Sequence, residues 1–137
     1  MYSNIMIPVD LRHVEQMDRA LSVAADIAKL YGAKVHIVGV GQSVPTKIAH
    51  TPAEYAEKLA AFAAGRSEVL GVTFAAHSEV SHDPAVDLDH VLQHTADKMG
   101  IDLIVMASHV PGFAEHFISS NAGYIASHAK SSVLVVR

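Results

Sequence analysis

This chain contains no cysteine, few aromatic residues and only ten lysines and arginines among its 137 residues. Without cysteine it can form neither a disulfide nor a thiolate metal site, and this fits a reducing cytoplasm. No stretch approaches the roughly 20 apolar residues that a membrane-spanning helix requires. A net charge of −4 argues against an extended nucleic-acid surface, which needs clustered basic residues. The segment before Asp10 lacks the features of a signal peptide, so we expect a cytoplasmic protein.

The chain does have enough apolar surface for one ordinary domain. Half of its residues are hydrophobic and 18% are charged, a balance that argues against extensive disorder. A length of 137 residues suits a single core. No segment has the composition of a linker or an internal repeat, so we predict one domain over residues 1–137.

The spacing of apolar residues switches repeatedly between the periods of a strand and of a helix. Strands are predicted over Ser3–Val9, Lys34–Val40, Val72–Val80, the apolar run from Asp102 to Ala107–His109, and Ser132–Arg137. Helices are predicted over Met17–Leu30, from Thr51 to about Leu70, from Asp83 to Lys98, and over a short stretch before Ser132. Gly32, Gly71 and Gly100 stand where helices should end, and Thr51, Pro52 and Glu54 form a typical helix start.

This alternation predicts an α/β fold, a doubly wound five-stranded parallel sheet with helices on both faces, of Rossmann-like type. The third strand is weak and alternating, which suits a sheet edge. Ligands of such sheets bind beyond the carboxyl ends of the strands, near the point where the strand order reverses. Asp10, Val40, Ser81–Asp83 and Ala107–His109 are all predicted at carboxyl ends, and we expect them to converge on one cleft.

The segment after the fourth strand has the features of a phosphate-binding loop. Small and polar residues follow the apolar run, and Ser120 and Asn121 precede a helix. Backbone N–H groups in such a loop, together with the positive end of a helix dipole, can hold phosphate. Other α/β modules fit less well: the Walker A and GxGxxG spacings are absent, as are the Ser/Thr-rich first loop of flavodoxins and the acidic pair of receiver domains.

Five segments together resemble the universal stress protein family over essentially the whole chain. Ile5–Asp10 resembles the family's opening I-L-V-P-V-D, Asp102–Ser108 its D-L-I-V-M-G-[ST] motif and Val133–Arg137 its closing V-L-V-V-R. Ala107–Pro111 followed by Ser120–Asn121 is similar to the subgroup pattern A-S-H-x-P…G-S-N. The chain is therefore identified as a member of this family, which implies a fold like that of the adenine nucleotide alpha hydrolases.

The resemblance implies a nucleotide-binding loop after the fourth strand. In the nucleotide-binding branch of the family this loop reads G-x2-G-x9-G-[ST], and its glycines let the backbone approach the phosphates. By position these sites are Ala107, Val110, Ser120 and Asn121, so the spacing is kept and the three glycines are not. Ala107 adds one methyl group, whereas Val110 is β-branched and resists a positive φ. Ser120 and Asn121 still offer hydrogen bonds.

The resemblance also implies roles for residues at the ends of the first two strands. It implies that Asp10 lies near ribose or adenine and that Val40 forms an aliphatic wall against the base. Asp10 is equally suited to cap the next helix, and Val40 to be a core residue. Arg12 stands where the family has small residues, and it either reaches a phosphate or is a solvated surface arginine.

The ten histidines raise the question of a metal site. His90 and His94 are one turn apart on a predicted helix, but they lack an assured third ligand, so no metal site is predicted. His109 falls in the loop, where it either shapes the backbone or contacts a ligand. No nucleophile, base and orienting residue form a set, so no catalytic residue is assigned, and ATP hydrolysis is expected to be absent or very slow.

The function that follows is binding of AMP or ATP as a regulatory ligand of a dimeric stress-response protein, with Mg²⁺ accompanying ATP. The alternative is a protein-interaction module of the same fold whose nucleotide site has decayed, and a slow ATPase ranks third. The apolar edge strand Val133–Val136 and the resemblance both imply a homodimer. The implied nucleotide-binding residues are Pro8, Val9, Asp10, Val40, Ala107, Ser108, His109, Val110, Ser120 and Asn121.

Overall fold

A computed structural model describes residues 1–107 and 122–137 of the chain. Five parallel strands form one sheet in the order β3-β2-β1-β4-β5. The strands are β1 (Asn4–Val9), β2 (Lys34–Gln42), β3 (Phe74–Ser81), β4 (Leu103–Ala107) and β5 (Ser132–Val136). The helices are α1 (Asp18–Tyr31), α2 (Pro52–Leu70), α3 (Pro84–Met99) and α4 (Ala122–His128), and a 3-10 helix over Leu11–Gln16 follows β1. This order confirms the predicted fold class.

The helices cover both faces of the sheet, as predicted. Leu21 of α1 and Leu59 of α2 are fully buried in a core on one face. Leu92 of α3 and Ile125 of α4 are fully buried in a second core on the other face. Successive residues of β1 alternate between the two cores, as the two-residue period of a strand requires. Within the described ranges, no helix is both long enough and apolar enough to cross a membrane.

The predicted helix ends are confirmed in detail. Gly32, Gly71 and Gly100 end α1, α2 and α3 with φ values of 66°, 68° and 64°, in the left-handed region that residues with a Cβ avoid. At the start of α2, the Thr51 hydroxyl accepts the N–H of Glu54 at 3.1 Å. The helix then begins at the predicted proline.

Two local differences from the sequence prediction alter the carboxyl edge of the sheet. The second strand continues past its predicted end at Val40, because Gly41 pairs with Val80 and Gln42 pairs with Ser81 in the ladder between β2 and β3. β2 is therefore two residues longer than predicted. The 3-10 helix after β1 was not predicted at all, since the short segment Leu11–Gln16 has no helical apolar period.

Asp102 joins the middle of the sheet at the amino ends of its strands. Its carboxylate accepts the N–H of Ser3 at 2.8 Å and the N–H of Asn4 at 3.0 Å. Its own N–H donates to the Asn4 carbonyl, and its carbonyl accepts the N–H of Ser132, both at 3.0 Å. One residue thus connects β1, β4 and β5 where these strands begin.

Two histidines meet between β2 and β3. The Nδ1 atom of His36 lies 3.0 Å from the Nε2 atom of His77, and the ring centroids are 5.1 Å apart. Burial lowers the pKa of His36, and the nearby His77 and Lys34 lower it further. The folded protein therefore favours the neutral form of His36.

Because of the contact between His36 and His77, we predict that the protein loses stability in mild acid. Because the pKa of His36 is lower in the folded state than its usual unfolded value of about 6.5, the unfolded chain binds the proton more readily. The free energy of unfolding should therefore decrease as the pH falls below about 6.5, until the folded pKa is reached. His36→Gln should flatten this part of the curve, whereas His94→Gln, at an exposed position on α3, should not. Urea unfolding at a series of pH values measures both slopes, and a slope unchanged by His36→Gln would contradict the assignment.

Candidate ligand-binding site

The strand order reverses at the junction of β1 and β4. The chain runs from β1 outward to β3 and then returns to β4 and β5 on the other side. In the described ladder, β1 pairs with β4 at Ile5–Leu103 and Met6–Ile104 and no further. β1 pairs with β2, in contrast, as far as Val9–Gly39. The strand order therefore reverses between β1 and β4, and the region beyond the carboxyl ends of two such strands is where α/β proteins bind ligands. We call this region, beyond the carboxyl ends of β1 and β4, the crevice.

Asp10 follows β1 at the mouth of the crevice and is bound by a residue two positions later. Its Oδ1 atom accepts the backbone N–H of Arg12 at 3.0 Å, which makes Asp10 the N-cap of the 3-10 helix. The Arg12 guanidinium adds a two-pronged contact, with Nε 3.0 Å from Oδ1 and Nη2 2.7 Å from Oδ2. The capping role that the sequence left open is therefore present, and Arg12 is an ion-pair partner rather than simply a solvated side chain.

The two members of this ion pair differ sharply in exposure. The Asp10 side chain is 6% exposed and the Arg12 side chain 59% exposed. The hydrogen bond to Asp10 raises the pKa of the Arg12 guanidinium, and the charge of Asp10 acts in the same direction against the effect of burial. The pair therefore presents a permanently charged guanidinium to solvent, with its carboxylate behind it.

Tyr55 is a site residue that the sequence reasoning missed. It lies in the first turn of α2 and is 9% exposed. Its ring covers two glycines of β2: a Cβ at Gly39 would lie 2.6 Å from the Tyr55 hydroxyl, and one at Gly41 would lie 2.9 Å from the ring carbon Cγ. Burial raises the pKa of Tyr55, and the charge of Asp10 raises it further, so the phenol stays neutral beside the carboxylate. Two glycines on one face of a strand were the available signal, since such a pattern marks a close approach.

Pro8 and Val9 lie at the carboxyl end of β1, whereas Val40, which was predicted at the end of β2, lies two residues before that end. Val40 is half-buried and packs against the core on the α3 face, opposite the face that Tyr55 covers. Val9 is 1% exposed and belongs to the core on the α1 face, and Pro8 is also buried. Val40 is therefore a partly accessible apolar side chain, whereas Pro8 and Val9 are buried residues that directly precede Asp10.

The end of β3 does not join this group. β2 separates β3 from β1 in the sheet, so Ser81–Asp83 lie roughly 10 Å from β1 at the usual strand spacing. The Ser81 hydroxyl donates to Asp87 at 3.3 Å and accepts the N–H of Asp83 at 3.2 Å. These contacts hold the start of α3. In the part of the chain that the structure describes, no three His, Asp or Glu side chains are placed to share a metal ion.

Ala107 is the last residue of β4 and is half-buried on the α1 face. It pairs with Val136 of β5, so its backbone is held on one side by the edge strand. The remaining loop residues of the sequence prediction, Ser108, His109, Val110, Ser120 and Asn121, lie outside the described residues. The phosphate loop therefore stays a prediction.

Comparison with known proteins gives one consistent family. The model of the universal stress protein family matches residues 1–137. Universal stress protein G of Escherichia coli O157:H7 is 28% identical over 145 residues, and the match covers 100% of both chains.

Solved structures of this family share the fold. A universal stress protein from Archaeoglobus fulgidus in complex with dAMP superposes with a TM-score of 0.70 at 20% identity, covering 99% of this chain and 98% of that one. A universal stress protein family protein from Arabidopsis thaliana with AMP bound gives 0.66 at 13% identity, covering 98% of this chain and 90% of that one.

The contact between Tyr55 and β2 predicts opposite effects for two glycine substitutions. Gly41→Ala puts a methyl group 2.9 Å from the root of the Tyr55 ring, so the buried ring must shift, and we expect a loss of roughly 1–3 kcal/mol in the free energy of unfolding. Gly65→Ala, in α2, meets nothing within 4 Å and should add about 0.5–1 kcal/mol, because alanine favours the helix. Chemical denaturation measures both. Equal effects of the two substitutions would show that the Tyr55 ring is not in close contact with β2.

Proposed function

The chain belongs to the universal stress protein family, and from that premise we propose that it binds an adenine nucleotide, AMP or ATP, as a regulatory ligand of a cytoplasmic stress-response protein. The observation that carries the proposal is the crevice beyond the carboxyl ends of β1 and β4, where the buried side chain of Asp10 directly follows β1. Proteins of the same fold from Archaeoglobus fulgidus and Arabidopsis thaliana have been crystallised with dAMP and AMP.

In this proposal, different residues around the crevice bind the ribose, the base and the phosphates. The ribose lies beside Asp10 and Arg12, and the base lies against the half-buried Val40. The phosphates are held by backbone N–H groups from Ala107 onward and near Ser120–Asn121, at the start of the last helix. Pro8 and Val9 are both buried, and they support the site from the interior of the protein.

The state of Asp10 favours AMP over ATP with magnesium. Magnesium takes oxygen ligands, often carboxylates. Asp10 already holds a guanidinium at 2.7 Å, so a metal ion would have to displace that charged partner. A monophosphate does not require this exchange.

The same contact supports the alternative function, a protein-interaction module whose nucleotide site has decayed. In that case, Arg12 occupies the carboxylate of Asp10 in place of a ligand, and the glycine-poor loop no longer binds phosphate. The dimer and the outer surface would then carry the function.

Calorimetric titration of the protein with AMP and ATP tests the proposal. We expect saturable binding with a stoichiometry close to one ligand per chain. Mass spectrometry of small molecules released on denaturation shows whether a nucleotide is already bound.

Substitutions in the predicted loop distinguish a weakened site from a lost one. Val110→Gly combined with Ser120→Gly should tighten binding, because a gained N–H contact to phosphate, roughly 1.5–3 kcal/mol, exceeds the ordering cost of about 0.5–1 kcal/mol per glycine. Ser120→Asp should weaken binding, because its charge repels phosphate. If neither variant changes the affinity while both remain folded, the decayed-site alternative replaces the proposal.

We further propose that two copies of the chain pair through β5. This strand lies at the edge of the sheet, and Leu134 and Val135 are 37% and 36% exposed. A two-fold pairing of edge strands would satisfy the open backbone groups and cover these side chains at once.

The dimer proposal predicts that a charge on β5 separates the copies. Val135→Asp should give a monomer or an unstable chain, because dimer formation would bury the new carboxylate. Val86→Asp is the matched control, since Val86 is 70% exposed on α3, which packs on β2 and β3 at the other side of the sheet. Sedimentation at micromolar concentration measures both, and a monomeric wild-type protein would refute the proposal.

A further inference from the structure

The Asp10–Arg12 ion pair leaves little hydrogen-bonding capacity on the carboxylate. A carboxylate has about four acceptor positions. Oδ1 receives the backbone N–H and the Nε–H of Arg12, each at 3.0 Å, and Oδ2 receives Nη2 at 2.7 Å with Nε at 3.2 Å. Nε carries a single hydrogen that the two oxygens share, so three hydrogens fill about three of these four positions. With 6% of the side chain exposed, a ligand hydroxyl has little access to the remaining position while Arg12 stays in place.

The guanidinium, in contrast, keeps donors that point away from Asp10. Arginine has five N–H groups in a planar fork. Nε and one hydrogen of Nη2 face the carboxylate, so the edge formed by Nη1 and the second hydrogen of Nη2 is directed elsewhere. The side chain as a whole is 59% exposed, and among the described residues its hydrogen bonds all go to Asp10, so the donors of this edge can contact a ligand.

The hydrogen-bonding character of this position is therefore reversed. A free aspartate accepts hydrogen bonds and selects hydroxyl donors such as those of ribose. The edge that Arg12 presents can only donate, and although Asp10 balances its charge, a guanidinium edge pairs best with an anionic acceptor such as phosphate. In dinucleotide-binding folds an acidic residue binds a ribose hydroxyl, whereas a nearby arginine accommodates a ribose phosphate; here both residue types are present, and the arginine is the exposed one.

We propose that Arg12 determines which ribose this protein accepts, and that its ligand is an adenosine 5′-phosphate with a second phosphate on the 2′ or 3′ oxygen. The inference rests on the nucleotide site proposed above and specifies the class of nucleotide. Asp10 holds the guanidinium in place, and the 3-10 helix holds the backbone of Arg12. An arginine held in this way loses little freedom when it binds.

Titration of the wild-type protein with five ligands tests the proposal without any substitution. The probes are AMP, dAMP, ADP and adenosine 3′,5′-bisphosphate, with the 2′,5′ isomer as a fifth. We expect one of the two bisphosphates to bind about tenfold tighter than AMP, as one added charge-assisted contact would give. AMP and dAMP should differ by about twofold at most, because the 2′-hydroxyl has little access to the carboxylate of Asp10 while Arg12 is bound to it.

Two variants then separate Arg12 from general charge. Arg12→Ala should abolish the gain from the ribose phosphate and restore a preference for AMP over dAMP, since Asp10 becomes free to accept the hydroxyl. Arg19→Ala, at an exposed position on α1, removes the same charge and should leave both ratios unchanged. Thermal unfolding of each variant confirms that it is folded, and the wild-type ratios decide the question where a variant is not.

The outcomes distinguish this inference from the proposed function. If AMP binds but neither bisphosphate binds more tightly, Arg12 does not select a ribose phosphate, and the nucleotide-binding function stands without it. If ADP gains as much as the bisphosphates and Arg12→Ala removes both gains, Arg12 contacts the 5′-phosphate chain and the inference is wrong. If no ligand binds to the wild-type protein, both proposals fail.

Discussion

Asp102 accepts the N–H groups of Ser3 and Asn4, and these bonds close the junction of β1 and β4 at the amino ends of the strands. The ladder between the two strands then stops at Met6–Ile104. The amino end of the junction is thus fixed. Beyond the carboxyl ends the chain continues from β1 to a helix on one face of the sheet and from β4 to a helix on the other, and Asp10 and Ala107 lie where these two paths diverge.

Burial of a carboxylate at this edge imposes a second constraint. An ionised group with 6% exposure needs a partner, because removing it from water without one costs several kcal/mol. Arg12 is that partner, and it comes from the next turn of the same chain. The contact that stabilises the buried carboxylate of Asp10 is also the contact on which the proposed selectivity for a ligand rests.

The fold could be predicted from sequence because its signals are local and repeated. Apolar periods gave the strands and helices, and the glycines at positions 32, 71 and 100 marked the helix ends, where the backbone needs a positive φ. The end of β2 was predicted too early, because a glycine at position 41 is typical of a loop. Here its small size serves the packing of Tyr55. From sequence alone, a glycine that is needed for its backbone conformation cannot be distinguished from one that is needed because a larger side chain would not fit.

The candidate site was predicted less completely, and for a different reason. The position of Asp10 follows from the topology, but its partner depends on the course of the chain after β1. The 3-10 helix over Leu11–Gln16 brings the side chain of Arg12 back to the residue two positions before it, and no apolar period indicates such a short element. The residue that family resemblance assigns to the ribose is thus kept, while its hydrogen-bonding capacity is used within the chain. At 20% identity, the likeness to a dAMP complex extends to the path of the backbone. Under the proposal above, ligand choice depends on single side chains on that backbone, and Arg12 turns a position that would accept hydrogen bonds into one that donates them.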